Sequence, residues 1–464
     1  MNSNKKIHFE ISERKLLLKG VDVISVLLSL YLISTVFNFN YFTLSSTNYH
    51  WTIVLVLYIN IFGSVFETYN LQAASNQFQI IKNVILSTAT IVLFYLLTPI
   101  LTPSLPSNRL QIIIFFLTIL FTLLAWRLFY VNFLASHRFS KKAILVCDKE
   151  QLIELVSGLE SVDPHYKIIG FVNSDGADNF NMDFNAIKNI NVDELEHYVR
   201  NNSISEIVIA TQKTDGITVS LYNQLIHLLE NGIIIKEYTQ LYETITQRIP
   251  VHYVSRDFYR YFPFSRNNQN QLYKIMTRIT DVVFSIIGLL IGLVFLPFIF
   301  FGNLIGNKGK LFYHQERIGK NGRIFTIYKF RTMIENAEKD GAVFTTSNDA
   351  RVTSFGKFLR KTRLDEFPQF FNILKGEMAI IGPRPERAVF VTEIADVMPF
   401  YGTRHLIKPG LTGWAQVNYA YGDSIADSLV KLQYDLYYIK HRSVFLDINI
   451  FVKTLSTVLF FRGQ

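Results

Sequence analysis

Cysteine is almost missing: Cys147 stands alone in 464 residues. One thiol can neither close an intramolecular disulfide nor build a cysteine-based zinc site, though it says little about compartment. Charge is also scarce. Asp, Glu, Lys and Arg make up 18% of the chain and apolar residues 49%, with 40 Phe and 24 Tyr. A soluble globular chain carries about 25% charged residues, so membrane segments are expected. The charge that is present leans positive, at +9. Such an excess fits nucleic acid, anionic lipid or an anionic substrate, and equally the basic cytoplasmic loops of a membrane protein. Met1 to Lys15 is polar and charged, and no small-residue cleavage site follows the first apolar run, so no cleavable signal peptide is expected. By length the chain holds about three domains.

Four apolar segments precede Ser140, roughly Leu17–Phe37, His50–Phe66, Gln79–Leu101 and Leu110–Leu134. Each is close to the length that crosses a hydrocarbon core of about 30 Å at ~1.5 Å per residue. Lys19 and Asp22 lie near the start of the first, within reach of an interface. Lys5, Lys6, Arg14 and Lys15 precede the bundle, and His137, Arg138, Lys141 and Lys142 follow it. The loops Asn38–Asn48 and Thr102–Asn108 lack Lys and Arg, with Arg109 bordering the second as a single counter-example. The positive-inside rule therefore puts both ends of the bundle in the cytoplasm. Few polar groups fall mid-span, so the bundle reads as an anchor or dimerisation element rather than an ion path.

From Lys141 onwards short apolar runs alternate with helical patterns. Strands are expected at Ala143–Cys147, Lys167–Val172, Glu206–Ala210 and Ile233–Lys236, with helices at Lys149–Leu159, Val192–Asn201 and Leu221–Leu229. Continuous apolar strands between helices predict a parallel sheet covered on both faces, a Rossmann-like arrangement. The glycine loop of a dinucleotide site is missing. The first strand is followed by Cys147-Asp148-Lys149-Glu150, whose carboxylates would repel a pyrophosphate. A structural or regulatory role is the expectation for this region.

The last region opens with an aromatic and basic linker, Tyr253–Asn270, expected to run along a membrane surface. Lys274 and Arg278 then precede an apolar run, Val282–Phe301, long enough to span. Pro297 interrupts it, and proline removes a helical hydrogen bond and bends the axis. Asp281 is costly at depth and should stay near the cytoplasmic interface. Lys308, Lys310, Arg317, Lys320 and Arg323 favour keeping the chain beyond the run on the cytoplasmic side. A helix that enters one leaflet, bends at Pro297 and returns meets both demands, and an ordinary fifth span is the alternative. Lys329 and Arg331 end a predicted strand and would share one face. Further on, Leu364-Asp365-Glu366-Phe367-Pro368-Gln369 places two carboxylates between Arg360-Lys361 and Lys375-Gly376, shortly before Gly382-Pro383-Arg384-Pro385. Pro368 fits the first turn of a helix and Gly376 its end, which puts Asp365 near the N-cap, ionised by the helix dipole. Glu366 could share a magnesium ion with it, and an ionised carboxylate can attack phosphorus. The same spacing also describes a capping Asp followed by a helix-starting Glu. Phe367, Phe370, Phe371 and Leu374 recur at helical spacing, so that face meets core or membrane.

Taken together, these motifs resemble the bacterial sugar transferase family, specifically the long-form monotopic polyprenyl-phosphate phosphoglycosyl transferases. The resemblance runs from about Lys274 to the end. Its ordered set is Lys274…Arg278…Asp281, Gln315-x-Arg317-x-Gly319, Lys329-Phe330-Arg331-Thr332-Met333, Leu364-Asp365-Glu366-x-Pro368-Gln369, Asn372-x-x-Lys375-Gly376, Gly382-Pro383-Arg384-Pro385, Pro409-Gly410-Leu411-Thr412-Gly413-Trp414-Ala415-Gln416-Val417 and Tyr434-Asp435-Leu436-Tyr437-Tyr438. It implies a membrane α/β protein in three parts: a four-helix transmembrane bundle (1–140), a Rossmann-like α/β cytoplasmic domain (141–250), and a C-terminal α/β catalytic domain (251–464) with a re-entrant membrane helix near 281–304. It implies transfer of a sugar 1-phosphate from a UDP-sugar to undecaprenyl phosphate with release of UMP, initiating exopolysaccharide, capsule or O-antigen assembly. By motif, Asp365 matches the nucleophile and Glu366 its partner at Mg²⁺. Lys329, Arg331, Arg360 and Arg384, with Pro383 and Pro385, fall where phosphate and substrate are bound. Thr412, Trp414 and Gln416 lie in the pocket-forming loop, and Asp281 and Pro297 position the membrane helix. The implied setting is the bacterial inner membrane, as a homodimer among lipid, without nucleic acid. Departures are Leu296-Pro297 for the commoner Ser-Pro, Thr332 for Ser, Phe367 for Leu and Asn418-Tyr419 for Asn-Gly.

Overall fold

The computed structural model describes residues 11–37, 39–44, 47–69, 77–134, 141–160, 166–174, 187–211, 217–251, 271–307, 309–335, 337, 349–419 and 424–459. Lys5, Lys6, His137, Arg138, Lys308 and the linker Tyr253–Asn270 lie outside them. The chain divides into two compact units, Met1–Thr246 and Gln247–Gln464.

The first unit begins with four apolar helices: α1 (Ile11–Val36), α2 (Tyr49–Val65), α3 (Gln77–Leu97) and α4 (Leu110–Phe129), the last prolonged by a wider π turn, Tyr130–Leu134. Three of them are long and apolar enough to cross a membrane; α2, at 17 residues, is shorter. On α1 the stripe Leu18, Asp22, Val26, Leu30 is buried, while Ile24, Leu28 and Leu32 face outward at 65%, 56% and 52% exposure. A helix apolar on its outer face as well as its inner one suits lipid.

The inner stripe also carries a charge. The Asp22 carboxylate pairs with Arg127 of α4 at 2.5 Å, and both side chains are below 5% exposure. Arg127 also donates to Thr68 O at 2.8 Å and lies over the Tyr69 ring. No feature of the sequence announced this contact. Its two halves are 105 residues apart, and an isolated charge in an apolar run gives no hint of its partner.

The rest of this unit is an α/β layer. Five strands, β1 (Lys141–Cys147), β2 (Tyr166–Asn173), β3 (Lys188–Asn189), β4 (Glu206–Ile209) and β5 (Ile234–Glu237), form an all-parallel sheet in the order β3-β2-β1-β4-β5. Helices α5 (Leu152–Glu160), α6 (Leu195–Asn201), α7 (Val219–Glu230) and α8 (Tyr238–Thr246) complete it. Leu221, Leu225 and Leu228 recur at helical spacing and are buried. The predicted parallel sheet is there. At its central exit Asp148 accepts from the Ser174 hydroxyl, and a 3₁₀ turn, Lys149–Gln151, stands where a glycine loop would lie.

The second unit opens with α9 (Gln271–Gly306), 36 residues and also long and apolar enough to cross a membrane. It continues through β6 (Phe312–Ile318), β7 (Ile324–Phe330), α10 (Ser354–Thr362), α11 (Gln369–Lys375), β8 (Ala379–Ile381), α12 (Ala388–Val397), β9 (Gly410–Thr412), α13 (Trp414–Asn418), α14 (Ile425–His441) and α15 (Val444–Leu459). β6 and β7 pair antiparallel, β8 and β9 parallel. A core of Phe390, Tyr401, Trp414, Leu432, Leu436, Tyr438 and their neighbours joins the last helices.

Helical structure in α9 runs unbroken past Pro297. A proline removes one N–H from the ladder, and its fixed φ is itself helical. Both ends of α9 are tied to the same unit. Arg278 donates to Ile373 O and Leu374 O, each at 2.7 Å, capping α11. Asp281 is buried and accepts from Ile380 N at 2.8 Å. At the other end Asn303 donates to Gly309 O at 2.8 Å and Asn307 to Arg331 O at 2.7 Å. Between them phenylalanines dock on glycines. A Cβ on Gly288 would sit 2.4 Å from the Phe370 ring, and one on Gly302 2.2 Å from Phe355. The predicted phenylalanine face is therefore turned in part onto α9, whose opposite face exposes Leu290, Leu293, Val294 and Phe301 at 60%, 63%, 77% and 63%.

Candidate active site

The carboxylate pair is set by a reversal of the chain. α10 starts with the Thr353 hydroxyl accepting from Gly356 N at 2.9 Å and ends at Arg363, whose φ of 58° is left-handed. A single 3₁₀ turn, Leu364–Glu366, comes next, closed by Glu366 N to Arg363 O at 3.2 Å and Phe367 N to Leu364 O at 3.3 Å. Asp365 is thus not an N-cap, and the cap residue of α11 is Pro368. Leu364 packs with Ile299, Phe330 and Leu359, which pins the turn and leaves Asp365 and Glu366 on adjacent, buried positions.

Four cations converge there. Glu366 Oε1 accepts from Lys329 Nζ at 3.2 Å and from Arg384 Nη2 at 3.1 Å, and Arg363 lies 3.8 Å from Oε2. Arg360, held by Thr332 Oγ1 at 2.9 Å, adds its field at Asp365. Asp365 Oδ1 is buried without a hydrogen-bond partner. Asn372, fully buried, binds Thr326 O at 2.7 Å and accepts from Tyr328 N at 3.2 Å, stitching α11 to the strand that carries Lys329.

The two carboxyls are driven apart. Burial, and then the Glu366 charge beside it, push Asp365 up to about 6. Burial acts against Glu366 too, but Lys329, Arg384 and Arg363 outweigh it and hold that carboxyl well below the usual range. The expected ionisation of Asp365 by a helix dipole is therefore replaced by a carboxyl that gives up its proton only near neutrality. Two carboxyls with separated affinities for protons mark divided chemical roles. An unpartnered Asp365 oxygen next to an ionised Glu366 suits a divalent cation, since Mg²⁺ needs only one or two protein carboxylates beside water and phosphate oxygens.

Of the residues predicted from sequence, Asp365, Glu366, Lys329, Arg384 and Arg360 are brought together. Arg331 is not shown at the pair: it lies beyond the end of β7, 4.0 Å from Glu335. The strand alternation that would have aligned it with Lys329 stops at Phe330. Pro383 and Pro385 act through their carbonyls, which accept from Gly410 N at 2.9 Å and Arg317 Nη1 at 3.1 Å. Thr412 shares a hydrogen bond with Thr454 at 2.7 Å, Trp414 donates to Gln247 O at 3.1 Å, and Gln416 donates to Leu411 O at 3.1 Å. These bonds secure the loop itself. Asp281 and Pro297 lie on α9 as described. Arg363 was missed, because nothing local marks a left-handed arginine.

The sequence model of bacterial sugar transferases matches residues 272–461, and that of a CoA-binding domain matches 64–231. A UDP-N-acetylgalactosamine-undecaprenyl-phosphate N-acetylgalactosaminephosphotransferase of Aeromonas hydrophila is 48% identical over 153 residues, 33% of this chain and 36% of that protein. The chain thus spans little more than a third of that relative. A putative undecaprenyl-phosphate N-acetylgalactosaminyl 1-phosphate transferase of Bacillus subtilis is 41% identical over 153 residues, 32% of this chain and 86% of that protein. Galactosyl transferase CpsE of Streptococcus agalactiae is 30% identical over 342 residues, 69% of this chain and 72% of that protein.

Proposed function

Because this chain belongs to the bacterial sugar transferase family, we propose that it moves a sugar 1-phosphate from a UDP-sugar to undecaprenyl phosphate and releases UMP. The observation that carries the proposal is the buried Asp365–Glu366 pair ringed by Lys329, Arg360, Arg363 and Arg384. An oxygen of ionised Asp365 attacks the phosphorus next to the sugar. A new P–O bond forms, the pyrophosphate bridge breaks, and UMP leaves with the electron pair. A phosphate oxygen of the lipid then attacks the same phosphorus and the acyl phosphate bond breaks, returning Asp365 as a carboxylate. Lys329 and Arg384 stay at Glu366 throughout and face the charge that builds on the transferred group. Asp365 and Glu366 would hold a magnesium ion, which supplies charge neutralisation at the pyrophosphate.

The setting is proposed with the reaction. Four helices suited to a membrane and the basic flanks support the inner membrane, with the site on the cytoplasmic face where nucleotide sugars are. A 36-residue helix tied at both ends to one unit, through Arg278 and Asp281 at its start and Asn303 at its end, supports re-entry rather than crossing. Assembly as a homodimer and a place at the first lipid-linked step of capsule, exopolysaccharide or O-antigen synthesis are drawn from the family.

The test is UMP release by purified protein with undecaprenyl phosphate and Mg²⁺, using UDP-glucose, UDP-galactose and UDP-N-acetylgalactosamine in turn. Omitting the lipid should leave one UMP per site and a phosphosugar adduct on the peptide containing Asp365. Release that survives Asp365→Asn sinks the nucleophile, and no release from any donor sinks the reaction.

A further inference from the structure

Three consecutive carbonyls of the turn that carries Arg384 are each held from outside it. Pro383 O accepts from Gly410 N at 2.9 Å, Arg384 O from Arg404 Nη2 at 3.0 Å, and Pro385 O from Arg317 Nη1 at 3.1 Å. Pro383 and Pro385 have no N–H and a fixed φ. With the carbonyls taken, the backbone has little left to vary, and the Arg384 side chain leaves it in one direction, toward Glu366.

Arg404 is the unusual member. It is 4% exposed, and so is not a surface cation that happens to touch a carbonyl. The same Nη2 donates to Asp435 Oδ2 at 2.8 Å, Nη1 donates to the Tyr401 hydroxyl, and Asp435 is 1% exposed. A buried ion pair adds little net stability over well-packed apolar side chains. What it does provide is a donor fixed in place. Asp435 comes from α14 and Arg404 from the turn Pro399–Leu406, while Arg317 is the penultimate residue of β6 and pairs with Glu386 at 3.6 Å. The Arg384 turn is therefore gripped from three separate elements of the unit.

We propose that Arg404 and Asp435 are positioning residues of the active site: Asp435 orients Arg404, Arg404 fixes the Arg384 carbonyl, and the fixed turn aims the Arg384 guanidinium at Glu366 and the donor phosphate. This rests on the reading of Glu366 and Arg384 as the phosphate end of the site. Neither Arg404 nor Asp435 touches the reacting atoms. Their loss acts through Arg384, whose Nη2 donates to Glu366 Oε1 at 3.1 Å.

The test uses the full-length protein in detergent or nanodiscs with Arg404→Lys, Asp435→Asn, Arg384→Ala, and the double variant Arg384→Ala/Arg404→Lys. Displacement of a binding group by about 1 Å costs up to ~100-fold, so Arg404→Lys and Asp435→Asn should each lower kcat/KM for the UDP-sugar about 10–100-fold. The double variant should be no slower than Arg384→Ala alone. Additive losses overturn the proposal in favour of a purely structural pair. A second readout does not need turnover. Phenylglyoxal labelling of Arg384, with peptide mass spectrometry as the readout and each variant kept well below its own melting temperature, should quicken severalfold in both Arg404→Lys and Asp435→Asn, and unchanged labelling refutes the proposal. If wild type releases no UMP, the reaction has failed and the labelling still decides the positioning.

Discussion

Replacing Asp365 by Asn should stabilise the protein at neutral pH while removing its activity. The carboxyl is raised from 3.8 to about 6, first by burial and then by Glu366. Two pH units at ~1.4 kcal/mol each make the ionised form cost about 3 kcal/mol at pH 7. The Asn amide gives back about 1 kcal/mol through its own unmet hydrogen bonds, leaving a gain of about 2 kcal/mol. In a unit of this size that is a melting shift of about 4–8 °C. The sign comes from proton counts. Below pH 4 Asp365 is protonated in both folded and unfolded chains, and its contribution is fully present. Between pH 4 and 6 the unfolded chain ionises first, so stability falls, and above 6 the full cost applies. Glu366 runs the other way, its contribution present above the ordinary glutamate range and lost as pH falls, but it is common to both proteins. Thermal unfolding of wild type and Asp365→Asn from pH 4 to 7.5, without divalent metal, should therefore show the variant slightly less stable at the acid end, by about 1 kcal/mol, with curves that cross and then separate in its favour toward neutrality. A variant less stable than wild type at pH 7, or a difference independent of pH, refutes the reasoning.

Adding MgCl₂ should raise the melting temperature of wild type and leave Asp365→Asn/Glu366→Gln unmoved; equal shifts in both place the ion elsewhere. UMP release should fall below pH 6 as Asp365 takes its proton, and a profile flat to pH 5 contradicts the nucleophile's environment. Asp22→Ala should cost about 3–5 kcal/mol by leaving Arg127 buried and unpaired, read as lost monodisperse protein after extraction, while Asp22→Leu/Arg127→Met recovers most of it. Gly288→Ala should destabilise by about 1–3 kcal/mol through overpacking on Phe370, measured by thermal unfolding and relieved by Phe370→Leu.

Periodicity and composition carried the helices and the parallel sheet, because each strand and helix advertises its own burial along a few neighbouring residues. Leu221, Leu225 and Leu228 announce a buried helical face without help from the rest of the chain. The site was legible to a smaller degree. Asp365-Glu366 and Arg384 stood out as chemistry, but the helix cap drawn around Asp365 was wrong, since a left-handed Arg363 and a 3₁₀ turn intervene. Arg331 came from strand alternation, and the strand ended one residue too soon.

The sequence alone determined which segments are apolar enough for a membrane, which alternate into a sheet, and which residues could do phosphate chemistry. All of these are properties of short stretches. Only the tertiary structure decided which charges meet. Asp22 and Arg127, Lys329 and Glu366, Arg404 and Asp435 are separated by 105, 37 and 31 residues. Whether a buried carboxyl is ionised depends on the cations brought against it. Asp365 and Glu366 are neighbours in the chain, yet the fold surrounds one with three cations and leaves an oxygen of the other without a partner.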